Sequence, residues 1–238
     1  MSGILILTAV ELEARALARR LELPAITLLP FPAFGRGLLR VAPVGLRAGL
    51  LVSRWPRLLA GFNHPLVVSG GVCGGLAPDL RAGQLVLPES VLGPDGERLN
   101  VTPTPHRQAT ELAGAARGGT LVTSREVVGS AEAKSALFAR TGAVAVDMES
   151  SVILAHAAGA GCPALVVRGV SDTAAESLPP ELIDLVTSAG KLRTVRALTL
   201  TLTHPRVLPR AVALRRATQR ALAAVARLLA ALAASPPP

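Results

Sequence analysis

The sequence predicts an α/β fold, a three-layer α/β/α sandwich with a central mixed sheet. Short apolar, β-rich runs such as Ile4–Leu7 and Leu66–Val68 have the composition of buried strands. Segments with a helical pattern follow most of these runs, and alternation of strands and helices is typical of this architecture. The 238 residues, of which 50% are hydrophobic, suit a single domain over 1–238.

Hydrophobic period and turn residues place the elements along the chain. Strands are predicted at 4–8, 38–44, 66–69, 84–92, 120–123, 143–147 and 164–170. Helices are predicted at 9–22, between Gly45 and about Phe62, and at 131–139, 148–158 and 208–233. Pro56 predicts a kink or break in the second helix. A polar stretch surrounds Pro103 and Pro105, and residues 175–204 are predicted to be irregular.

The formal net charge of +9 comes almost entirely from arginine. It indicates either attraction to anions or a genome that favours arginine codons. Nucleic-acid binding is not expected, because the chain is only 2% aromatic and its basic stretches lack interleaved aromatics. The anionic partners that remain are a membrane face and a phosphorylated substrate.

The two cysteines, Cys73 and Cys162, fit neither a disulfide framework nor a metal-site spacing, and we expect reduced thiols in a cytoplasmic protein. The four histidines are dispersed, so neither a metal nor an organic cofactor is expected. The N-terminus does not resemble a signal peptide, and no uncharged apolar stretch has the length of about 18 residues that a spanning helix needs.

The C-terminal segment 205–238 predicts an amphipathic helix. Its apolar face is formed by Leu214, Ala221, Val225, Leu228, Leu229 and Leu232, with Arg216, Arg220 and Arg227 opposite. Packing against the sheet is the simpler interpretation. The alternative is peripheral contact with an anionic membrane, helped by Arg206 and Arg210.

Three segments place glycines or carboxylates at predicted strand ends, where open α/β sheets bind ligands. They are the glycine-rich residues 68–76, the acidic residues 146–151 and the segment 166–173 that contains Asp172. The glycines allow close approach of backbone to a ligand and fit neither a P-loop nor a dinucleotide fingerprint. Each carboxylate alone is explained by helix capping or the helix dipole, but the three occur together in order.

Together these segments resemble the nucleoside phosphorylase and nucleosidase superfamily over about residues 3–175. The resemblance rests on residues 68–86, on Asp147-Met148-Glu149 and on Arg168–Asp172. Residues 8–13 resemble the start of methylthioadenosine/S-adenosylhomocysteine nucleosidases. Residues 175–182 and the last helix resemble the hopanoid-associated phosphorylase branch. That branch is thought to release adenine from adenosylhopane, a lipid-linked nucleoside. The resemblance therefore implies a small-molecule or lipid-linked nucleoside as the ligand.

The resemblance implies cleavage of the N-glycosidic bond of a purine nucleoside and assigns roles to particular residues. Asp172 would protonate the departing base, which requires a pKa raised by burial. An ionised Glu149 would bind the ribose hydroxyls, with Met148 packed on the sugar. Glu13, or alternatively Glu11, would activate water if the reaction is hydrolysis. The remaining substrate-binding residues are Val72, Gly74, Val127, Val128 and Ser171.

Two departures from the family pattern bear on this prediction. Val72 stands where the nucleosidases have a serine, and Gln84 replaces an acidic residue at a strand start. A phosphorylase would use inorganic phosphate as co-substrate, and Arg36, Arg40 or Arg47 could reach it; Glu13 favours hydrolysis instead. Methylthioadenosine/S-adenosylhomocysteine or futalosine cleavage and a non-catalytic nucleoside-binding protein remain alternatives. Relatives commonly assemble, so a homo-oligomer is expected.

Overall fold

The computed structural model describes residues 3–178 and 208–235. Its ten strands form one mixed sheet with helices on both faces, which confirms the predicted fold class. The strands are β1 (Ile4–Thr8), β2 (Phe34–Arg36), β3 (Leu39–Pro43), β4 (Leu66–Gly75), β5 (Leu85–Val86), β6 (Ser90–Leu92), β7 (Arg98–Asn100), β8 (Thr120–Thr123), β9 (Ala145–Asp147) and β10 (Ala164–Asp172). The helices are α1 (Glu11–Arg20), α2 (Leu51–Leu59), α3 (Pro103–Ala113), α4 (Ala131–Thr141), α5 (Ser150–Gly159) and α6 (Leu208–Ala234), with a 3₁₀ turn at Leu46–Ala48.

Strand β4 lies at the centre of the sheet. It pairs in parallel with β1 on one side and with β10 on the other, and its last two residues, Gly74 and Gly75, pair antiparallel with β9. The strand order is β2-β3-β1-β4-β9-β8-β6-β7, with β10 and β5 branching from β4. The ends of β4, β9 and β10 therefore meet in one place.

Side chains of alternate residues in a central strand pack into two separate hydrophobic cores, one on each face of the sheet. Leu5 and Leu7 of β1 pack with α2 and α5, whereas Ile6 points to the opposite face and packs with α1 and α6. This follows from the period of two along a strand. Because both faces are covered, the first halves of the central strands are apolar, and polar residues such as Arg168 and Asp172 come only toward the end of β10.

The prediction that the strand beginning at residue 66 ends at residue 69, before a glycine-rich loop, is wrong, because β4 continues as a strand to Gly75. The glycines give room to carboxylates that lie against the strand. A Cβ atom on Gly71 would lie 2.8 Å from Glu13 Oε1, and one on Gly74 would lie 3.3 Å from Asp172 Oδ2. The absence of side chains thus serves close approach within a strand, not a turn.

Other element boundaries also differ from the predictions. The predicted strand 84–92 is divided into β5 and β6, and β2, β7 and α3 were not predicted. Helix α3 begins at Pro103, since a proline in the first turn lacks only an N–H that needs no partner there. Helix α2 continues through Pro56. Proline has no N–H to donate to the carbonyl four residues earlier, but Pro56 lies on the exposed side of the helix, where water can hydrogen-bond to that carbonyl.

Helix α6 packs along the sheet between α1 and α3. Its predicted apolar residues Ala221, Val225, Leu228, Leu229 and Leu232 are buried, and Arg216, Arg220 and Arg227 are exposed. By length and composition alone, Pro209–Ala234 could cross a membrane, but half of its most apolar window is buried inside the fold. The interpretation of this helix as part of the core is confirmed. The turn signals at Pro179-Pro180 and Ala189-Gly190 lie outside the described residues, as do Arg206 and most of 175–204.

Candidate active site

One cavity of about 230 Å³ lies where β4, β9 and β10 end and α1 begins. Every residue that the sequence analysis assigned to the site lines it: Glu13, Val72, Gly74, Val127, Val128, Met148, Glu149, Ser171 and Asp172. These residues come from distant parts of the chain and meet because the strand ends converge.

Glu13 enters the cavity from the first turn of α1. Its Oε2 accepts hydrogen bonds from the backbone N–H groups of Ala9 and Val10 at 3.1 and 3.3 Å, and its Oε1 accepts one from Val72 at 2.9 Å. Burial raises the pKa of Glu13, while Arg168 and these N–H groups oppose the rise. Glu11, the alternative, pairs with Arg15 at 2.6 Å and does not line the cavity.

Glu149 lies directly before α5, and its Oε1 accepts a hydrogen bond from the Arg47 backbone N–H at 3.0 Å. Arg47 has a left-handed backbone with φ of 54°. Burial first, and then the charge of Asp147, raise the pKa of Glu149 to about 8, although Arg168 opposes the rise. Burial at this position therefore favours the protonated form of Glu149, whereas the resemblance implied an ionised carboxylate.

Asp172 ends β10, and both of its carboxyl oxygens have partners. Lys134 Nζ of α4 lies 2.6 Å from Oδ2, and Ser171 Oγ lies 2.6 Å from Oδ1. The sequence analysis did not identify Lys134 as a partner of Asp172. The pattern Ala-Glu-Ala-Lys around Lys134 is that of a solvated helix face, so it gave no signal that this lysine is buried.

A buried ion pair of Arg168 and Asp147 adjoins the site, and Asp147 itself lines the cavity. Arg168 Nη2 lies 2.6 Å from Asp147 Oδ2 and 2.9 Å from Ser69 Oγ. Burial alone would lower the pKa of Arg168, but Asp147, Glu149 and Glu13 outweigh it and raise that pKa, so the guanidinium remains charged. The sequence analysis quoted Arg168 within a motif without giving it a role. The sequence did contain a signal for such a role, because Arg168 lies within a run of apolar residues and a buried arginine needs a partner.

The side of the cavity near Val127 and Val128 is aliphatic. Val127 is 42% exposed, and neither an aromatic ring nor a cation lines the cavity among the described residues. Met148 lines both this cavity and a neighbouring one of about 720 Å³. Cys73 also lines the cavity, but burial raises the pKa of its thiol, which keeps it neutral and a poor nucleophile.

The three arginines considered for phosphate binding do not line the 230 Å³ cavity. Arg36 donates to the Glu22 carbonyl, and Arg40 donates to the Leu58 carbonyl and stacks on Phe62. Arg47 lines the larger neighbouring cavity. Within 3–178 and 208–235, no group of three or more histidine, cysteine, aspartate or glutamate side chains has the geometry to hold a metal ion.

Comparison with known proteins settles the family. The sequence model of the Phosphorylase superfamily matches residues 54–202. A futalosine hydrolase from Streptomyces coelicolor is 32% identical over 225 residues, covering 81% of this chain and 95% of that protein. The chain belongs to the phosphorylase superfamily. The superfamily resemblance noted from four sequence segments is thereby confirmed.

Solved structures agree on the fold of this superfamily member. The 5′-methylthioadenosine/S-adenosylhomocysteine nucleosidase from Helicobacter pylori, with butyl-thio-DADMe-Immucillin-A, has a TM-score of 0.72 at 19% identity; 98% of this chain and 97% of that chain are covered. The native futalosine hydrolase of Helicobacter pylori has a TM-score of 0.71 at 19% identity, with 97% of both chains covered. At this identity the likeness concerns the fold.

Proposed function

We propose that this protein hydrolyses the N-glycosidic bond of a purine nucleoside and releases the free base, with futalosine as the first substrate to test. The observation that carries the proposal is the arrangement of Glu13, Glu149 and Asp172 around one small cavity in a phosphorylase-superfamily fold. The extensive match to a Streptomyces coelicolor futalosine hydrolase supports the choice of substrate.

Cleavage of the N-glycosidic bond requires different groups on the purine side and on the ribose side. The leaving purine gains negative charge and needs an acid, while the ribosyl group gains positive charge and needs a nucleophile on its other face. Asp172 is the acid, and Ser171 supports it. Glu149 and Met148 hold the ribose, and Glu149 binds its hydroxyls through a carboxyl that can donate as well as accept. Val127 and Val128 contact the base.

Glu13 activates the water, and its surroundings favour hydrolysis over phosphorolysis. Val72 N–H fixes its Oε1, and Arg168 supplies positive charge from behind. A phosphorylase needs cationic donors around phosphate. Among the described residues, the cavity wall has no arginine or lysine, and the Glu13 carboxylate that activates water would repel a phosphate dianion. This chemistry requires no cofactor.

Adenosylhopane as the substrate stays a prediction. It rested on residues 175–182, partly outside the described residues, and on α6, whose apolar face is buried against the sheet. Membrane contact through 205–238, the homo-oligomer, the single domain over 1–238 and the cytoplasmic location likewise stay predictions. Methylthioadenosine and S-adenosylhomocysteine remain substrates to compare.

The test is release of free purine base from futalosine, methylthioadenosine, S-adenosylhomocysteine and adenosylhopane by the full chain, with and without phosphate. We expect release that does not depend on phosphate and yields a free sugar. Formation of a sugar 1-phosphate would show phosphorolysis and overturn the hydrolytic assignment. Absence of release from all four, together with unchanged nucleoside binding by Asp172→Asn, would favour a binding protein.

A further inference from the structure

Lys134 is a lysine with no exposed surface, held in one position by three acceptors. Its Nζ lies 2.6 Å from Asp172 Oδ2, 2.8 Å from the Thr173 carbonyl and 2.7 Å from the Glu176 carbonyl. An ammonium group has three N–H donors, so this environment satisfies the charged form completely. Lys134 does not line the cavity, whereas its partner Asp172 does.

Asp172 is the ion-pair partner of Lys134 within the described part of the chain. The Glu176 carboxylate accepts hydrogen bonds from the Thr173 backbone N–H and hydroxyl. Glu132, which lies on α4 with Lys134, is exposed. Arg210 of α6 lines the separate cavity on the other side of Asp172. The ammonium therefore acts on this one carboxyl group.

The other oxygen of Asp172 has a different kind of partner. Ser171 Oγ lies 2.6 Å from Asp172 Oδ1 and 3.1 Å from the Cys73 carbonyl, yet a hydroxyl has a single proton to donate. With Asp172 ionised, Ser171 donates to Oδ1. With Asp172 protonated on Oδ1, Asp172 donates to Ser171 Oγ and Ser171 donates to Cys73. Both protonation states are satisfied at Oδ1.

The geometry points to Lys134 as a positioning residue that fixes Oδ2 of Asp172 as the unprotonated oxygen and thereby leaves Oδ1 to carry the transferable proton. This inference rests on the proposed function. The C–N bond breaks, the purine takes its electron pair and the Oδ1 proton, and Asp172 becomes a carboxylate paired with Lys134. Water forms the new C–O bond at the ribosyl carbon and gives a proton to Glu13, so the site as a whole gains the proton that Asp172 has lost.

A double-mutant cycle tests whether Lys134 acts through Asp172. We expect Lys134→Met to lower kcat by about 10-fold or more, within the range of an acid's contribution, with little change in KM. In the Asp172→Asn background the same substitution should change kcat less than about 2-fold. Ser135→Ala, at an exposed position on α4, is the control and should behave as the unaltered enzyme.

An equal loss in both backgrounds, or a change in KM alone, would overturn the positioning role. If Lys134→Met does not fold, Lys134→Gln retains a donor and enters the same cycle. A second readout uses 4-nitrophenyl ribofuranoside, whose leaving group needs no acid. Cleavage of this substrate should be spared in Lys134→Met, and an equal loss on both substrates would indicate a structural role. Purine release by the unaltered enzyme separates failure of this inference from failure of the proposed function.

Discussion

Arg168 Nη2 and Asp147 Oδ2 lie 2.6 Å apart in the interior, with side-chain exposures of 1% and 2%. Both side chains are buried, so the ion pair and hydrogen bonds with neutral groups take the place of water. Asp147 accepts from Thr123 and Ser150, and Arg168 donates to Ser69. The pair also connects the two ends of the site, because Arg168 influences the pKa values of both Glu13 and Glu149.

Loss of the guanidinium should be costly for stability. We expect Arg168→Met to lower the free energy of unfolding by about 3–5 kcal/mol, because Asp147 is left buried without its partner. Arg125→Met is the matched control, since Arg125 also lies 2.6 Å from an aspartate, Asp95, but at the surface. Its expected cost is at most about 1 kcal/mol. Urea denaturation measures both, and similar losses would contradict the structural assignment.

Asp172→Asn should separate chemistry from binding. The amide oxygen can still accept from Lys134, but the amide cannot protonate the leaving base, so we expect kcat to fall by about 10²–10⁴-fold. Affinity for methylthio-immucillin-A, which binds the Neisseria meningitidis nucleosidase, should fall much less if that compound binds here. Asp95→Asn, at an exposed position, is the control. Retained turnover in Asp172→Asn would remove this residue as the acid.

Glu13 and Glu11 offer a matched pair two residues apart. We expect Glu13→Gln to lower kcat by about 100-fold or more, because an amide cannot take a proton from water. Glu11 pairs with Arg15 on the outer side of α1, and Glu11→Gln should leave turnover unchanged. Steady-state rates of base release measure both. Equal activity in the two variants would exclude Glu13 as the base.

The raised pKa of Glu149 predicts a particular dependence of stability on pH. Because its pKa is about 8 in the folded protein, against an ordinary value of 4.5, the native state holds this proton more tightly than the unfolded chain does. Its stabilising contribution is fully present below about 4.5 and is lost as the pH rises to about 8. Glu149→Gln should therefore gain stability relative to the unaltered protein across this range. Thermal unfolding of both proteins at about pH 5 and about pH 9 measures this difference in stability. A difference that does not change with pH would refute the raised pKa of Glu149.

Gly71 should tolerate no side chain. Its φ is 149°, and an added Cβ would lie 2.8 Å from Glu13 Oε1 and 2.9 Å from Arg168 Nη1. We expect Gly71→Ala to displace Glu13 and to lower kcat by about 10-fold or more, since small misplacements of catalytic groups are costly. Gly159→Ala, where nothing lies within 4 Å of the new Cβ, is the control. Unchanged turnover in Gly71→Ala would show that Glu13 does not depend on this contact.

The sequence determined the fold class and indicated part of the cavity wall, including Glu13, Glu149 and Asp172. Apolar strands with a period that fills two cores, and acidic residues at the strand ends, are local patterns that can be read without coordinates. The length of β4 was misjudged because a run of glycines indicates a turn as readily as a strand that other side chains approach closely.

Only the tertiary structure decided the partners of the cavity carboxyls. Lys134 lies 38 residues from Asp172, and Arg47 lies 102 residues from Glu149, so no local pattern couples either pair. The protonation of Glu149 depends on burial and on the charges of Asp147 and Arg168, which exist only after the strand ends converge. The sequence placed the acidic groups, and folding set their charge, because a pKa is a property of surroundings that the chain assembles in three dimensions.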